Sequence, residues 1–388
     1  MYEYFVSKQQ LSLLQDRINK AEETKASYEL YDILGALYRN NNYEPISAMV
    51  VGAGGSYPAA LKAAHSIRNQ LRTPKVEAVT PQTALRILGQ FDRIVFCTYK
   101  PKYDVIICIS YSGKSPDIQA VYEKCKEMKD TTFVLLTGAC KEDLKDIYEE
   151  NEKTRIVSYF NPADTTGKER GMISMFSTLA PVIIFEDSIL ASSDSPRFYI
   201  YQECLKNGEN FVSNLDSNFT ISEIANGVRR VPVIHIMYEW KTLPTAADIE
   251  SKIMESGIAN VILHEKKNFS HGRYTMLYKQ DFGLVINLVD YAVGIGNKKS
   301  KIIKFYNNDF DRILSQFLQD RCKEKSASYL EIGNGLFDPA EWNVEELSKL
   351  PYLVTVLGRE LNVDISKPFN PNPFPEESQV LYKYKGEF

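Results

Sequence analysis

The sequence predicts an α/β protein in which mainly parallel sheets are covered by helices on both faces. Two observations lead to this fold class. Short apolar runs alternate with longer helical patterns along most of the 388 residues, and this alternation is typical of parallel strands joined by helical crossovers. Glycine- and serine-rich loops also follow two of the apolar runs directly, at 52–56 and 110–115. In this fold class such loops connect a strand to the next helix.

The first 45 residues are predicted to form a helical leader, and residues 46–195 are assigned to a first α/β domain. In chain order, its predicted strands are 48–51, 75–79, 105–109, 132–136 and 155–160, and its predicted helices are 58–71, 81–88, 116–129, 142–151 and 172–190. Among the predicted helices, the one at 116–129 has the clearest start signal, because Ser115 is a favoured N-cap residue and Pro116 is a favoured first helical residue.

A polar, breaker-rich stretch at 191–196 is the predicted domain boundary. The second domain is assigned to 196–365 and repeats the alternation. Its predicted strands are 232–237, 261–264, 284–289, 302–305 and 329–332, and its predicted helices are 198–215, 246–257, 311–323 and 343–361. Two α/β halves of similar size suggest an internal duplication. The proline-containing tail, 366–388, is expected to be extended and to wrap over the surface.

The composition is typical of a cytoplasmic globular protein. A formal net charge of −4 does not favour a nucleic-acid surface. The six cysteines show no C-x-x-C spacing, so reduced structural thiols are expected. No apolar run approaches the ~18 residues that indicate a membrane span, and the N-terminus lacks an export signal. We therefore expect no nucleic-acid partner, no membrane and, from the ligand spacing, no metal.

Two loops carry the pattern of a phosphate cradle. The first runs Gly52-Ala53-Gly54-Gly55-Ser56 after a predicted strand, and the second runs from Ser110 to Ser115 after another. A strand that ends in glycine and hydroxyl residues and enters a helix presents backbone N–H and O–H donors to an anion. A dinucleotide fingerprint is a weaker interpretation of the first loop, because Tyr57 stands where the third glycine belongs. A capped loop that binds nothing is the alternative for the second.

Ionisable residues are concentrated in the second half. Asp248, Lys252 and Glu255 fall on one face of the predicted helix 246–257. By themselves such residues predict a solvent-facing ion-pair stripe more often than a site. His271 follows in a polar loop and is followed by a glycine.

Together, these segments resemble the sugar isomerase (SIS) superfamily, in particular the isomerase portion of glucosamine-6-phosphate synthase and the fructosamine-phosphate deglycases. Gly54–Tyr57 corresponds to the family's Gly-Thr-Ser-Tyr loop, and Ser110–Ser115 to its Ser-Gln-Ser-Gly-Glu-Thr loop. The spacing of Lys252, Glu255 and His271 also matches the family. The resemblance covers roughly 46–365 and implies two tandem SIS domains, each a flavodoxin-like three-layer αβα fold.

The resemblance also implies roles for individual residues. The phosphate of a sugar phosphate is assigned to two loops, through Gly55, Ser56, Ser110, Ser112, Gly113 and Ser115. Other substrate contacts are assigned to Tyr111, Lys114, Glu169 and Ser174. Lys114 replaces a family glutamate, and we expect it to contact the phosphate or a second anionic group.

Catalysis is assigned to Glu255, His271 and Lys252 by the same resemblance. Glu255 would move a proton between C1 and C2, a role that suits a carboxylate whose pKa is raised by partial burial. His271 would assist ring opening. Lys252 is the lysine that precedes the catalytic glutamate in the family. No cofactor is implied.

The resulting expectation is a phosphosugar aldose–ketose isomerase, or a deaminase or deglycase of an amino-sugar or fructosamine phosphate. The family implies a homodimer with shared active sites. If the reaction handles nitrogen, an amidotransferase or operon partner is one of the possible ammonia sources. The alternative is a noncatalytic sensor or scaffold that binds a sugar phosphate or nucleotide sugar, because several family positions are altered: Gly55, Tyr111, Lys114 and Arg273.

Overall fold

The computed structural model describes residues 8–70, 73, 75–89, 103–164, 176–190, 233–295, 302–306, 308–334, 353–354 and 357. Residues 12–164 and 176–190 of this set belong to one compact unit, and those from 233 onward belong to another. The predicted boundary at 191–196, the helix at 198–215, most of the helix at 343–361 and the tail at 366–388 lie outside the described residues.

The first unit contains a five-stranded parallel sheet in the order β2-β1-β3-β4-β5. Its strands are β1 Ala48–Gly52, β2 Val76–Val79, β3 Val105–Ile109, β4 Thr132–Thr137 and β5 Thr154–Ser158. Its helices are most of α1 Lys8–Glu23, from residue 12 onward, and all of α2 Ala26–Asn40, α3 Ser56–Gln70, α4 Pro81–Gly89, α5 Pro116–Lys126 and α6 Phe176–Leu190. Every residue of β1 and β3 is buried, as expected for central strands covered on both faces.

The N-terminal helices pack onto this unit. Leu30, Ile33 and Leu34 form the buried face of α2, and α2 and α3 both contact α6. The predicted leader therefore shares the hydrophobic core of the first sheet.

The helix predicted at 142–151 is wrong. A single 3-10 turn, Lys141–Leu144, forms there. The side chain of Asn151 accepts hydrogen bonds from the backbone N–H groups of Lys153, at 2.8 Å, and Thr154, at 3.0 Å. They form a turn that leads the chain into β5. Within the segment itself, the N–H of Glu149 donates to the hydroxyl of Tyr122 at 3.0 Å rather than to a helical carbonyl.

The second unit repeats the strand order of the first. Its elements are β6 Val233–Tyr238, α7 Leu243–Glu255, β7 Asn260–Glu265, α8 Thr275–Lys279, β8 Leu284–Ile295, β9 Ile302–Tyr306, α9 Asp309–Glu324 and β10 Ser328–Asn334. Parallel pairing gives the order β7-β6-β8-β10, which matches β2-β1-β3-β4. The strand β9 pairs antiparallel with the end of β8. The matching order supports the predicted duplication.

Among the helices that the structure describes, none combines the length and the apolar character that a membrane span requires.

Candidate functional site

The two predicted phosphate loops leave the carboxyl ends of neighbouring strands. Gly52, at the end of β1, lies opposite Ile109, at the end of β3. The chain proceeds from β1 to β2 on one side and then returns to β3 on the other, so the gap between β1 and β3 is the switch point of the sheet. Ligands of open α/β sheets bind in the crevice at this position.

The first loop is a tight turn that requires glycine at its start. A Cβ atom at Gly52 would lie 2.4 Å from the carbonyl oxygen of Ser56. Gly54 has a φ of 53°, and Ser56 begins α3. From α6, the hydroxyl of Thr178 donates a hydrogen bond of 2.8 Å to the carbonyl of Gly55. The loop is thus fixed from behind, with Ser56 at the N-terminus of a helix.

The second loop is held by its own backbone and by Tyr148. Ser110 is buried, and its N–H donates to the carbonyl of Leu136 at 3.1 Å. The N–H of Gly113, whose φ is 62°, donates to the carbonyl of Ser110 at 3.2 Å. The Tyr148 hydroxyl donates to the carbonyl of Gly113 at 2.7 Å. Ser112 is exposed at the turn between these fixed points.

Ser115 has the extended conformation of an N-cap residue, but its side chain makes no capping hydrogen bond to α5. The first-turn N–H groups of α5 therefore lack the side-chain oxygen that usually satisfies one of them. An anion at this helix end would accept those donors and meet the positive end of the helix dipole.

Lys114 is the basic residue of the loop. Its ammonium lies 3.7 Å from the carboxylate of Asp143, and both side chains are at least half exposed. Surface pairs of this kind contribute little stability, so the lysine can turn toward an anion at small cost.

Tyr111, a predicted substrate contact, has partners within the protein. Its ring packs edge-on against Phe176 at 6.1 Å between centroids. Its hydroxyl accepts a hydrogen bond of 3.0 Å from Arg17 on α1. No sequence pattern singled out Arg17, because a lone arginine in a charged helix gives no signal.

The ion-pair stripe predicted on α7 is not uniformly solvent-facing. Lys252 and Asp248 form an ion pair whose side chains are 5% and 2% exposed. Glu255 is exposed, and it accepts a hydrogen bond of 2.8 Å from Ser251. The expected partial burial of Glu255 is therefore wrong for the single chain, and Lys252 is paired with Asp248 rather than with Glu255.

His271 lies in a turn of π-helical type, Phe269–Arg273, between β7 and α8. Gly272 follows it with a φ of 130°, which a residue with a side chain rarely adopts. His271 is exposed. Glu255, Lys252 and His271 thus belong to the second unit, whereas the phosphate loops belong to the first.

Two other histidines form a buried pair that the sequence did not indicate. His235 Nδ1 and His264 Nε2 are 2.8 Å apart on β6 and β7. Burial lowers the pKa of each to about 4; the charge of His264 adds to the effect on His235, and that of Arg273 adds to the effect on His264. Both imidazoles are neutral at pH 7 and belong to the core.

An ion cluster lies at the carboxyl ends of β6 and β7. The ammonium of Lys266 is 2.6 Å from the carboxylate of Asp311 and 3.4 Å from that of Glu239. Asn308 donates to the second oxygen of Asp311 at 2.9 Å. The cluster thus lies at the ends of the two strands that correspond, by their order in the sheet, to β1 and β2 of the first unit. Sequence reasoning missed the cluster because its members are widely separated along the chain.

The remaining predicted contacts, Glu169 and Ser174, lie outside the described residues. Within the ranges that the structure describes, no group of three or more histidine, cysteine, aspartate or glutamate side chains is arranged to hold a metal ion.

Comparison with known proteins identifies the fold. No family model matches the sequence, and no curated protein matches it significantly. Solved structures do match. The C-terminal domain of glucosamine-fructose-6-phosphate aminotransferase from Francisella tularensis is 15% identical, with a TM-score of 0.59 over 95% of this chain and 100% of that one.

Two further structures have similar scores. Tagatose-6-phosphate ketose/aldose isomerase from Escherichia coli is 14% identical, with a TM-score of 0.59 over 90% of this chain and 93% of that one. Glucosamine-6-phosphate deaminase from Thermotoga maritima is 12% identical, with a TM-score of 0.56 over 91% and 98%. These matches span most of the chain and confirm the predicted α/β fold, in which mainly parallel sheets are flanked by helices.

Proposed function

We propose that the protein is a phosphosugar-processing enzyme, an aldose–ketose isomerase or a deaminase or deglycase of an amino-sugar or fructosamine phosphate. The observation that carries the proposal is the pair of serine loops at the switch point of the first sheet. The likeness of the whole chain to a ketose/aldose isomerase and to a deaminase supports it.

In this proposal the two loops hold the phosphate. The hydroxyls of Ser56, Ser110, Ser112 and Ser115 donate to its oxygens together with the backbone amide of Gly55. The predicted N–H contact from Gly113 is not available in this arrangement, because that N–H donates to the carbonyl of Ser110 and holds the loop in shape. The anion lies near the N-termini of α3 and α5, whose dipoles favour negative charge. Lys114 supplies a further cationic contact.

The reaction would be a proton transfer between C1 and C2 of the open-chain sugar. Glu255 takes the role of the base, and His271 passes the proton that opens the ring. Lys252 is a positioning residue in this scheme. Its buried pair with Asp248 fixes the turn of α7 immediately before Glu255, and a pair so buried would be costly to break.

A second candidate function is noncatalytic sensing of a sugar phosphate. Two observations favour it: Glu255 is exposed, and Lys252 has its charge matched by Asp248. A sensor needs the phosphate loops and no base. The two candidates therefore share the ligand and differ in turnover.

Calorimetry with a panel of hexose and amino-hexose phosphates tests the shared claim. The Ser110→Ala/Ser112→Ala double variant loses at least two charge-assisted hydrogen bonds worth ~1.5–3 kcal/mol each, so its affinity should fall at least about 100-fold. Ser27→Ala, a serine replacement on α2, is the control and should bind like the wild type. Equal affinity of the double variant and the wild type would refute the phosphate site.

Turnover of the same panel separates the candidates. With ammonia release measured beside isomerisation, a product identifies the reaction class. Binding without any turnover would leave the sensor as the function.

A further inference from the structure

Arg17 of α1 is buried and lies at the centre of a set of contacts around the second phosphate loop. Its Nε donates to Asp164 at 3.2 Å, and its Nη2 donates to the hydroxyl of Tyr111 at 3.0 Å. The guanidinium carbon stands 4.3 Å from the centroid of the Phe176 ring. Salt bridge, hydrogen bond and cation–π contact together fix the plane of the guanidinium, a geometry that lysine cannot reproduce.

Tyr111 leans over the end of β4. A Cβ atom at Gly138, the residue that follows β4, would lie 2.6 Å from Tyr111 Cδ2, so a glycine at this position makes room for the ring. The backbone of Tyr111 is held too, because its carbonyl accepts hydrogen bonds of 3.1 Å from the N–H of Gly138 and from the hydroxyl of Thr137. The ring and the carbonyl of Tyr111 are thus both fixed to the protein.

The neighbours of Tyr111 in the chain are Ser110 and Ser112, which are two of the proposed phosphate ligands. A residue fixed at its ring, its hydroxyl and its carbonyl restricts the backbone torsions on both sides. The conformational entropy that an anion would otherwise have to remove from this loop is then already lost before binding.

We propose that Arg17 is a positioning residue for the phosphate loop, acting through Tyr111, and that α1 is thereby part of the binding apparatus. Tyr111 then anchors the loop instead of contacting the sugar. This inference rests on the proposed function, because it assumes that the serine loop binds a phosphate.

The test compares affinities for the hexose phosphate that the wild type binds most tightly. Tyr111→Phe removes the hydroxyl alone and keeps the ring over Gly138. Arg17→Met removes the donors and keeps an apolar stem beside Phe176. Each variant should bind about 10-fold more weakly. The double variant should bind the hexose phosphate no more weakly than Arg17→Met does, because both changes break the same hydrogen bond between Arg17 and Tyr111.

Lys20→Met is the matched control. Lys20 lies one turn further along α1, with its ammonium 4.0 Å from the carboxylate of Asp164. Within the described residues, it makes no hydrogen bond to Tyr111. Its affinity should stay within about 2-fold of the wild type. Circular dichroism and unfolding temperatures verify that every variant is folded at the temperature of the titration. A loss of affinity that comes only from unfolding is thereby recognised.

The outcomes are distinct. If the wild type binds a hexose phosphate and both Tyr111→Phe and Arg17→Met bind it equally well, the positioning role is wrong and the proposed function stands. Additive losses in the double variant would also contradict the inference, because they would mean independent roles. A wild type that binds no sugar phosphate would refute the proposed function and this inference with it.

Discussion

At the scale of single residues, Gly113 combines two constraints that set the shape of the phosphate loop. Its φ is 62°, and a Cβ atom there would lie 3.0 Å from a methyl group of Leu144 and 3.1 Å from the hydroxyl of Thr137. Gly113→Ala should therefore cost ~1–3 kcal/mol of unfolding free energy and weaken sugar-phosphate binding. Urea unfolding and calorimetry measure the two effects.

Gly257 provides the control for the backbone effect. Its φ is 67°, yet no atom lies within 4 Å of its ideal Cβ position. Gly257→Ala should show strain without crowding and should leave binding unchanged. If Gly113→Ala were as stable as the wild type, the left-handed conformation assigned to this loop would be contradicted.

At this scale, sequence reasoning located the loops that are defined by local composition, and their phosphate-binding role remains a prediction. The glycine and serine loops were predicted because a strand, a glycine and a helix start are consecutive in the chain. Arg17, His235 and His264 gave no such signal. Their importance comes from partners far along the sequence, such as Asp164 for Arg17, and one sequence does not show those pairings.

At the scale of elements, Glu22 on α1 makes the stability of the first unit depend on pH. Burial raises the pKa of Glu22 to about 8, and the charge of Asp187 on α6 adds to the effect. The ordinary value is 4.5, so the folded state holds this proton more tightly than the unfolded state. Its contribution to stability is complete below pH 4.5 and is lost as the pH rises through about 8.

Glu22→Gln mimics the protonated form. We expect the unfolding temperature of this variant to exceed that of the wild type by an amount that grows between pH 5 and pH 9. Asp16→Asn removes an exposed carboxylate from the same helix and should show no comparable growth. A difference between Glu22→Gln and the wild type that is constant with pH, or that shrinks, would exclude the raised pKa.

Most strands of the two sheets were predicted to within a residue or two, since buried parallel strands are continuous apolar runs. The errors have physical causes. The segment 142–151 has helical composition, but the N–H of Glu149 donates to the hydroxyl of Tyr122, and the bonds of Asn151 then turn the chain into β5. The charged face of α7 was expected to face the solvent. Lys252 and Asp248 are buried instead, which is possible because the two opposite charges form an ion pair.

At the scale of the whole molecule, the two sheets share one strand order, as the predicted duplication requires. The order β7-β6-β8-β10 in the second unit matches β2-β1-β3-β4 in the first. A comparison of the two half-sequences could not reveal the shared strand order, because that order depends on which strands pair with each other in the folded sheet. The halves also differ chemically: hydroxyl loops follow β1 and β3, whereas an ion cluster built on Lys266 lies at the ends of β6 and β7.

The family resemblance implies a dimer that shares its active sites, and this remains a prediction. Glu255→Gln and His271→Ala chains should each be inactive alone. Mixed after subunit exchange, they should regain part of the wild-type activity through hybrid sites. Light scattering gives the mass of each sample, and labelled subunits verify exchange. No recovery despite verified exchange would place both residues of each site in one chain.

The central claim is proton transfer between C1 and C2 of a sugar phosphate, and hydrogen exchange in deuterated water tests it most directly. When the wild type acts on a hexose phosphate that it binds, deuterium should enter the sugar at C1 or C2, and NMR measures this incorporation. Glu255→Gln should bind with unchanged affinity and exchange roughly 100-fold to 10,000-fold more slowly. Undiminished exchange in Glu255→Gln would contradict the role of this carboxylate as the base. If the wild type exchanged no proton on any hexose phosphate that it binds, the proposed enzymatic activity would be contradicted.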